Sequence, residues 1–390
     1  MNILYCIPQL YNSGGMERVL CQKVNYLVRQ TGHHFAVLTT EIAPKGCNVC
    51  YFPIDERVDI CELNIDFDSD FSLPLVRKWW QHQRKMRRYK KKLKRYIIEK
   101  HIDLCISLCG KEIAFLSELP CAMIAETHFS KNQRRLLIEA YHKGALWRLL
   151  GTIRVKQLVM AVKKLPCFVV LTEQDKYEWE AAGCHNVRCI ANPCSLDNVV
   201  LPDPIRTNRR ILSVGRLHIE KGFDRLIDTF AIVHRRHPEW TLRIVGEGGQ
   251  RQVLQERIHR LQLDECVELT GSTTSIATEY QGASMFVLSS RYEGLPLVLI
   301  EAMWCGVPCV AFDCPHGPAE LLSNGQGILV SNGDIMGLAK AMEKMIEHPD
   351  LCHQTGLAGQ KYAHARFSEQ VIMKQWIDLI QEQTIHARRI

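Results

Sequence analysis

The sequence predicts an α/β protein of two Rossmann-like, doubly wound parallel-sheet domains facing a central cleft. Three observations predict it. Short apolar runs of strand length alternate with stretches of helical period along 390 residues. That rhythm runs through the first half of the chain and repeats in the second. Between the halves lies Leu201–Asn208, LPDPIRTN, with two prolines and no apolar periodicity, which reads as a linker. The expected domains are therefore residues 1–200 and 209–367, joined by 201–208. A final helix over about 368–390 is expected to pack back on the first domain.

Ile3–Ile7 reads as the first strand and Gly14–Gln30 as the helix after it, ending near Gly32. Phe35–Thr39, Asp103–Ser107, Ala122–Ala125 and Phe168–Leu171 read as further strands of the first sheet. In the second half Arg210–Val214 is a strand and Phe223–Arg236 a helix. Thr241–Val245 and Gln250–Leu261 repeat that pair, and Cys266–Leu269 is another strand. Met285–Leu288 is a buried strand by its apolar run, Ser289–Leu295 a glycine-bearing loop, and Pro296 suits a first helical position. Gly306 suits the stop of that helix, and Val307–Phe312 is the next strand.

Composition is that of a globular protein, with 46% hydrophobic and 23% charged residues. The N-terminus MNILYCIPQL reads as a strand and not a signal peptide, and no apolar run approaches the roughly 20 residues of a spanning helix. The expectation is a cytoplasmic protein. The 17 cysteines, many inside apolar strands, fit a reducing compartment. Cys47 and Cys50 form one CxxC pair, but no second pair stands at zinc-site spacing. The net charge of +7 is uneven. Residues 1–200 hold 29 Lys and Arg against 20 Asp and Glu, whereas residues 201–390 hold 20 against 22.

Candidate chemistry gathers after the strands, where parallel sheets bind ligands. Glu293 and Glu301 are separated by seven residues across a loop-to-helix junction. A helix N-terminus offers N–H groups to a phosphate, and carboxylates beside it can accept hydrogen bonds from sugar hydroxyls. Those are the parts of a nucleotide sugar. Arg216 and Lys221, in SVGRLHIEKGF, follow a strand and could neutralise a diphosphate, or be a solvated basic loop. Gly14 and Gly15 open a helix where a phosphate could approach the backbone, although glycine turns after strands are common. His128 follows the strand-like AMIAET, where it could reach the cleft or serve packing. Gly246 belongs to a G-E-G turn whose spacing fails the dinucleotide fingerprint. Asp66, Asp68 and Asp70 look like a carboxylate metal motif, but their irregular acidic setting reads as a surface loop.

Arg77–Arg95 holds 11 basic residues, and no Asp or Glu occurs from Phe71 to Ile98. Trp79, Met86, Tyr89, Leu93 and Tyr96 recur at helical steps. The expectation is a basic amphipathic helix docking on an anionic membrane surface through Trp79, Trp80, Arg84, Lys85, Arg87, Arg88, Lys90, Lys91 and Lys92. A solvated helix packing its aromatic stripe on its own sheet is the other reading. Nucleic acid is not expected as a partner, since no binding module accompanies the run. Arg134–Leu165 is a second basic, apolar-rich stretch that could extend the same face.

Taken together, SVGRLHIEKGF, RIVGEGG, RYEGLPLVLIEAMWCGVPCVAF and HGPAELL resemble glycosyltransferase family 4, the retaining, nucleotide-sugar-dependent transferases of GT-B fold. The match is strong over about Arg210–Val330. It is looser in the first half, through Gly14-Gly15, His128 and Asn192-Pro193. The resemblance implies that Glu293 contacts hydroxyls of the transferred sugar, Glu301 holds the ribose, and Arg216 and Lys221 bind the diphosphate. Gly14, Gly15, Gly246, Gly294 and Leu295 complete the expected donor site. His128 would lie by the reacting centre, so the implied catalytic set is Glu293, His128, Arg216 and Lys221. No metal or other cofactor is expected. The expected activity is transfer of a hexose or N-acetylhexosamine, with UDP-sugar as donor and a lipid-linked or cell-surface glycan precursor as acceptor. The expected place is the inner face of the cytoplasmic membrane. An epimerase, a phosphorylase or a non-catalytic sugar-nucleotide-binding protein on the same frame are the alternatives.

Overall fold

A computed structural model describes residues 1–70, 74–132, 135–136, 144–196 and 208–387. The chain forms two compact units, Met1–Ala191 with Ile372–Ile390, and Asn192–Val371. The expected linker 201–208 lies outside the described residues except for Asn208. Residues 192–196 differ from the expected boundary and belong to the second unit. Within it the Cys194 N–H donates to the Phe367 carbonyl at 2.8 Å and the Ser195 hydroxyl to Glu301 at 2.8 Å.

The first unit holds seven strands: β1 (Asn2–Ile7), β2 (His34–Thr39), β3 (Asp59–Glu62), β4 (Leu104–Ser107), β5 (Ala122–Glu126), β6 (Phe168–Val170) and β7 (Val187–Cys189). All pair in parallel, in the order β3-β2-β1-β4-β5-β6-β7. Side chains of β1 alternate between two apolar layers, as the period of a strand requires. Ile3, Tyr5 and Ile7 join Leu20, Val24 and Leu27 of the helix Gly15–Gln30. Leu4 and Cys6 join Tyr89, Leu93 and Ile97 of the helix Leu75–Glu99. With both faces covered, the strands read as continuous apolar runs. The last helix, Glu369–Ala387, places Ile372, Met373, Trp376, Leu379 and Ile380 in the Tyr5 layer. Residues 388–390 of the expected final helix lie outside the described residues.

The second unit holds β8 (Arg210–Val214), β9 (Thr241–Val245), β10 (Val267–Gly271), β11 (Met285–Leu288), β12 (Cys309–Asp313) and β13 (Gly327–Ser331), all parallel in the order β10-β9-β8-β11-β12-β13. Both sheets therefore reverse direction once, at β1/β4 and at β8/β11. Those are the points where open α/β sheets accept ligands, beyond the strands' carboxyl ends. The predicted α/β class of two doubly wound sheets is what the chain adopts. Three strands went unpredicted. β3 (DICE) is an edge strand and largely exposed, β7 (VRC) is three residues at the opposite edge, and β13 is only partly buried. None carries a period strong enough to stand out.

The basic helix Leu75–Glu99 departs from the expected docking face at three positions. Tyr89, Leu93 and Ile97 are buried, so lysines flanking that stripe reach inward. Lys85 donates to the buried Asp70 carboxylate at 2.7 Å and to the Ser69 hydroxyl at 2.9 Å. Lys92 donates to the Leu63 carbonyl at 2.7 Å, and Lys90 pairs with Glu118. Trp79, Trp80, Arg84, Arg87, Arg88 and Lys91 remain exposed. The acidic run Asp66–Asp70 is thereby explained as a lysine anchor. On the helix Ala145–Val162, Trp147, Leu149, Leu150, Ile153 and Met160 are exposed; residues 134 and 137–143 of that second basic stretch lie outside the described residues.

Candidate active site

In the second unit, adjacent strands β8 and β11 release two loops at their carboxyl ends. The β8 loop carries Arg216 and Lys221 and leads into the helix Phe223–His234; the β11 loop carries Glu293. Gly222 joins them. Its φ is +65°, and a Cβ there would stand 2.1 Å from the Ser289 carbonyl oxygen, so only glycine fits without strain. The Ser289 hydroxyl donates to the Lys221 carbonyl at 2.9 Å. Arg291 closes the junction: its guanidinium donates to both Asp224 carboxylate oxygens at 2.9 and 2.7 Å and to the Ile219 carbonyl at 2.7 Å. Burial works against ionising Asp224, but the Arg291 fork outweighs it and holds the carboxyl below its ordinary value.

This clamp brings Lys221 and Glu293, 72 residues apart, into an ion pair of 2.8 Å from Nζ to Oε1. The Ser290 hydroxyl donates to the same oxygen at 2.6 Å, and the Glu293 N–H donates to the Pro315 carbonyl at 3.2 Å. The side chains are 18% and 9% exposed. The pair is thus held rigidly in a poorly solvated place, where an anion and a hydroxyl group would each find a partner of the right charge. The Cys314 thiol beside it is pushed up by burial, then by the Glu293 carboxylate, so it stays a neutral thiol.

Arg216 is not drawn into that pair. Its side chain is 66% exposed and, among the described residues, reaches Glu220 at 3.4 Å. Gly246 abuts the same loop, and a Cβ there would lie 1.9 Å from the Gly215 carbonyl oxygen. Gly294 and the buried Leu295 lead from Glu293 to the helix Leu297–Trp304, with Pro296 standing at its cap and not at its first helical position. Glu301, on that helix, is buried. It accepts from the Ser195 hydroxyl at 2.8 Å and from the Tyr280 hydroxyl at 2.9 Å. The helix stops at Gly306, whose φ is +64°.

In the first unit, Gly14 caps the helix that Gly15 begins, and the Glu17 carboxylate folds over the space a Gly14 Cβ would need. His128 follows β5, and its side chain is 6% exposed. Its Nε2 lies 2.7 Å from Glu126 Oε1. Glu126 in turn accepts from the Lys23 ammonium at 2.6 and 2.7 Å. Lys23, Glu126, Ser195, Tyr280 and Arg291 were not singled out from the sequence. Only Lys23 carried a local signal, since it stands three residues after Leu20 and next to Val24 on the apolar stripe of its helix. The others are joined by contacts between distant segments.

A family model of group 1 glycosyl transferases matches residues 203–362, which include both loops. An uncharacterised glycosyltransferase of Haemophilus influenzae is 30% identical over 356 residues, covering 89% of this chain and 91% of that protein. The amylovoran biosynthesis glycosyltransferase AmsD of Erwinia amylovora is 32% identical over 242 residues, 58% of this chain and 68% of its own. Among solved structures, TarM of S. aureus, a mutant in complex with UDP, fondaparinux and alpha-GlcNAc-glycerol, superposes with a TM-score of 0.76 at 15% identity, over 97% of this chain and 99% of that one. The fold, the paired loops at the switch point and these likenesses converge: the chain is a glycosyltransferase of GT-B fold.

Proposed function

We propose that this enzyme is a retaining family 4 transferase that moves a hexose or N-acetylhexosamine from a UDP-sugar to a lipid-linked or cell-surface glycan precursor. The observation that carries the reading is the Lys221–Glu293 pair at the β8/β11 switch point. Lys221 and the exposed Arg216 meet the diphosphate, and Glu293 accepts from sugar hydroxyls. Glu301, already set by Ser195 and Tyr280, receives the ribose. Gly14, Gly15, Gly246, Gly294 and Leu295 line the donor, and His128 lies by the reacting centre. The UDP held by TarM supports the choice of donor, and the amylovoran and lipopolysaccharide core biosynthesis glycosyltransferases among the chain's relatives support the choice of acceptor.

In the step itself the bond from the anomeric carbon to the diphosphate oxygen breaks, and UDP leaves with both electrons. The acceptor hydroxyl adds to the same face and gives its proton to the leaving phosphate. Lys221 and Arg216 stabilise the charge that develops on the diphosphate, with no metal required. Glu293, tied to Lys221 and Ser290, serves as hydrogen-bond acceptor and not as nucleophile. Thermal shift against UDP, GDP, ADP and their sugars tests the donor: UDP and UDP-sugars should raise the melting temperature. A rise with GDP or ADP alone would reassign the base.

Peripheral docking on an anionic membrane is a second part of the reading. The exposed Trp79, Trp80, Arg84, Arg87, Arg88 and Lys91 favour it. Among the described residues no helix is long and apolar enough to cross a membrane.

A further inference from the structure

Basic side chains gather beside the strand reversal of the first unit. The helices Leu75–Glu99 and Ala145–Val162 both pack on the short turn Lys111–Ala114, which follows β4. Each helix runs into a parallel strand, β4 and β6, so its first half lies towards the strands' carboxyl ends. The buried Phe67 ring marks the place. The His82 ring lies 5.5 Å from it between centroids, and the Lys111 ammonium 5.4 Å from its centroid. Arg154 and Lys85 also act on His82, and Asp70 is the carboxylate facing it. Lys85 is already tied to Asp70, at 2.7 Å. Glu41, a carboxylate that feels Lys111, is buried and accepts from the Thr40 hydroxyl and the Asp68 N–H, both at 3.0 Å. Lys111 and Arg154 are exposed, and among the described residues neither meets a carboxylate at ion-pair distance.

We infer that Lys111, Arg154 and His82 receive the phosphate or diphosphate of a lipid-linked acceptor. Like charges brought together cost free energy in the empty protein, and an anion relieves that cost. A forked guanidinium, an ammonium and an imidazolium suit the oxygens of a phosphate. The neighbours argue for a lipid on that phosphate. Trp79 stands three residues before His82, and Leu150 four before Arg154, so each shares a helix face with its basic partner. Both are exposed, at 56% and 39%. An anionic head with an apolar tail matches such a pairing, whereas a free phosphate leaves the apolar half unused. The cluster also lies at the end of the sheet where ligands bind, whereas Arg87, Arg88 and Lys91 of the proposed membrane face stand further along their helix. Burial, then the Lys111 charge, holds the His82 imidazole below its ordinary value; Asp70 opposes this, and Arg154 and Lys85 add to it. A bound phosphate favours the imidazolium and moves that value up.

The inference rests on the reading of the acceptor as lipid-linked, and its test separates the two. Farnesyl diphosphate serves as the probe. Imidazole proton spectra of the full chain, assigned with His82→Gln, follow the His82 titration without any turnover. Farnesyl diphosphate should raise its midpoint by at least about 0.5 pH unit. Lys111→Met/Arg154→Met should bind the probe at least about tenfold more weakly than the wild type, with an unchanged circular dichroism spectrum. If that variant does not fold, Lys111→Met alone, at an exposed position, should lose at least about threefold. An unmoved His82, equal affinity in wild type and variant, or inorganic diphosphate bound as tightly as farnesyl diphosphate overturns the inference. Phosphatidylglycerol vesicles that move His82 as far as the probe also overturn it, since the cluster then serves headgroups. Transfer to a lipid-linked acceptor with His82 indifferent to the probe sinks the inference and leaves the acceptor reading standing. Farnesyl diphosphate bound as expected, with transfer confined to phosphate-free glycans, supports the anion site and sinks the acceptor reading.

Discussion

Lys221 and Glu293 neutralise each other in the protein without donor, which sets what each substitution should cost. Lys221→Met removes the cation proposed to meet the diphosphate and takes the ammonium from Glu293, which keeps its bond from the Ser290 hydroxyl. Glu293→Gln keeps the shape and removes the acceptor charge. Both should reduce kcat/KM by about 10²-fold or more, the usual cost of one preorganised electrostatic partner. Folding should be retained, and circular dichroism with sugar-transfer rates checks both halves of the statement. Glu126 gives a separate prediction at the same scale. Its folded value of about 2 is depressed from the ordinary 4.5, so the carboxylate's contribution to stability is complete above about pH 5. It is lost as the pH falls through 4 towards 2, and amounts to about 3 kcal/mol. Urea unfolding from pH 7 to pH 2.5 should show that acid limb in the wild type and a flatter one in Glu126→Gln.

At the scale of elements, the site depends on two loops being pinned by Gly222 and Arg291. Gly222→Ala sets a Cβ 2.1 Å from a backbone carbonyl at positive φ, so it should destabilise the second unit by about 1–3 kcal/mol and weaken donor binding with it. Thermal melting and UDP titration of the variant check this. The basic helix Leu75–Glu99 makes a different prediction. Neutralising Arg84, Arg87, Arg88 and Lys91 should reduce sedimentation with anionic vesicles, and so should high salt. Replacing Lys90 and Lys92 should change stability more than vesicle binding, because they reach Glu118 and the Leu63 carbonyl. Binding unaffected by either set would leave the exposed tryptophans without a membrane role. The same helix shows what sequence could and could not convey. Its charge and apolar stripe were legible, because both repeat at the period of a helix. Which lysines turn inward was not, because Asp70, Leu63 and Glu118 come from other segments. Edge strands β3 and β7 escaped for a related reason: a short, half-exposed strand has no burial pattern to betray it.

At the scale of the molecule, two reversals of strand order place a ligand-accepting edge in each unit, and the loops that carry Lys221 and Glu293 follow the strands of the second reversal. That much was legible in residues 285–310, because a helix N-terminus, a loop carboxylate and a buried strand are all local. The Ser195–Glu301–Tyr280 and Lys23–Glu126 contacts were not, because they join residues 21 to 106 positions apart. The chain also enters the second unit at Asn192 and leaves it at Val371, so the first unit's core includes a helix from beyond the second unit in sequence. Removal of residues 372–390 should therefore unfold the first unit, exposing Tyr5 and Lys23, and limited proteolysis would register it as cleavage confined to residues 1–191.

Calorimetric titration of UDP into the wild type and Lys221→Met tests the donor-site assignment most directly. The wild type should bind, and the variant should bind at least about tenfold more weakly, since a charge-assisted contact to phosphate contributes about 1.5–3 kcal/mol. Equal affinity in the two proteins would place the diphosphate away from the β8/β11 loops and contradict the assignment.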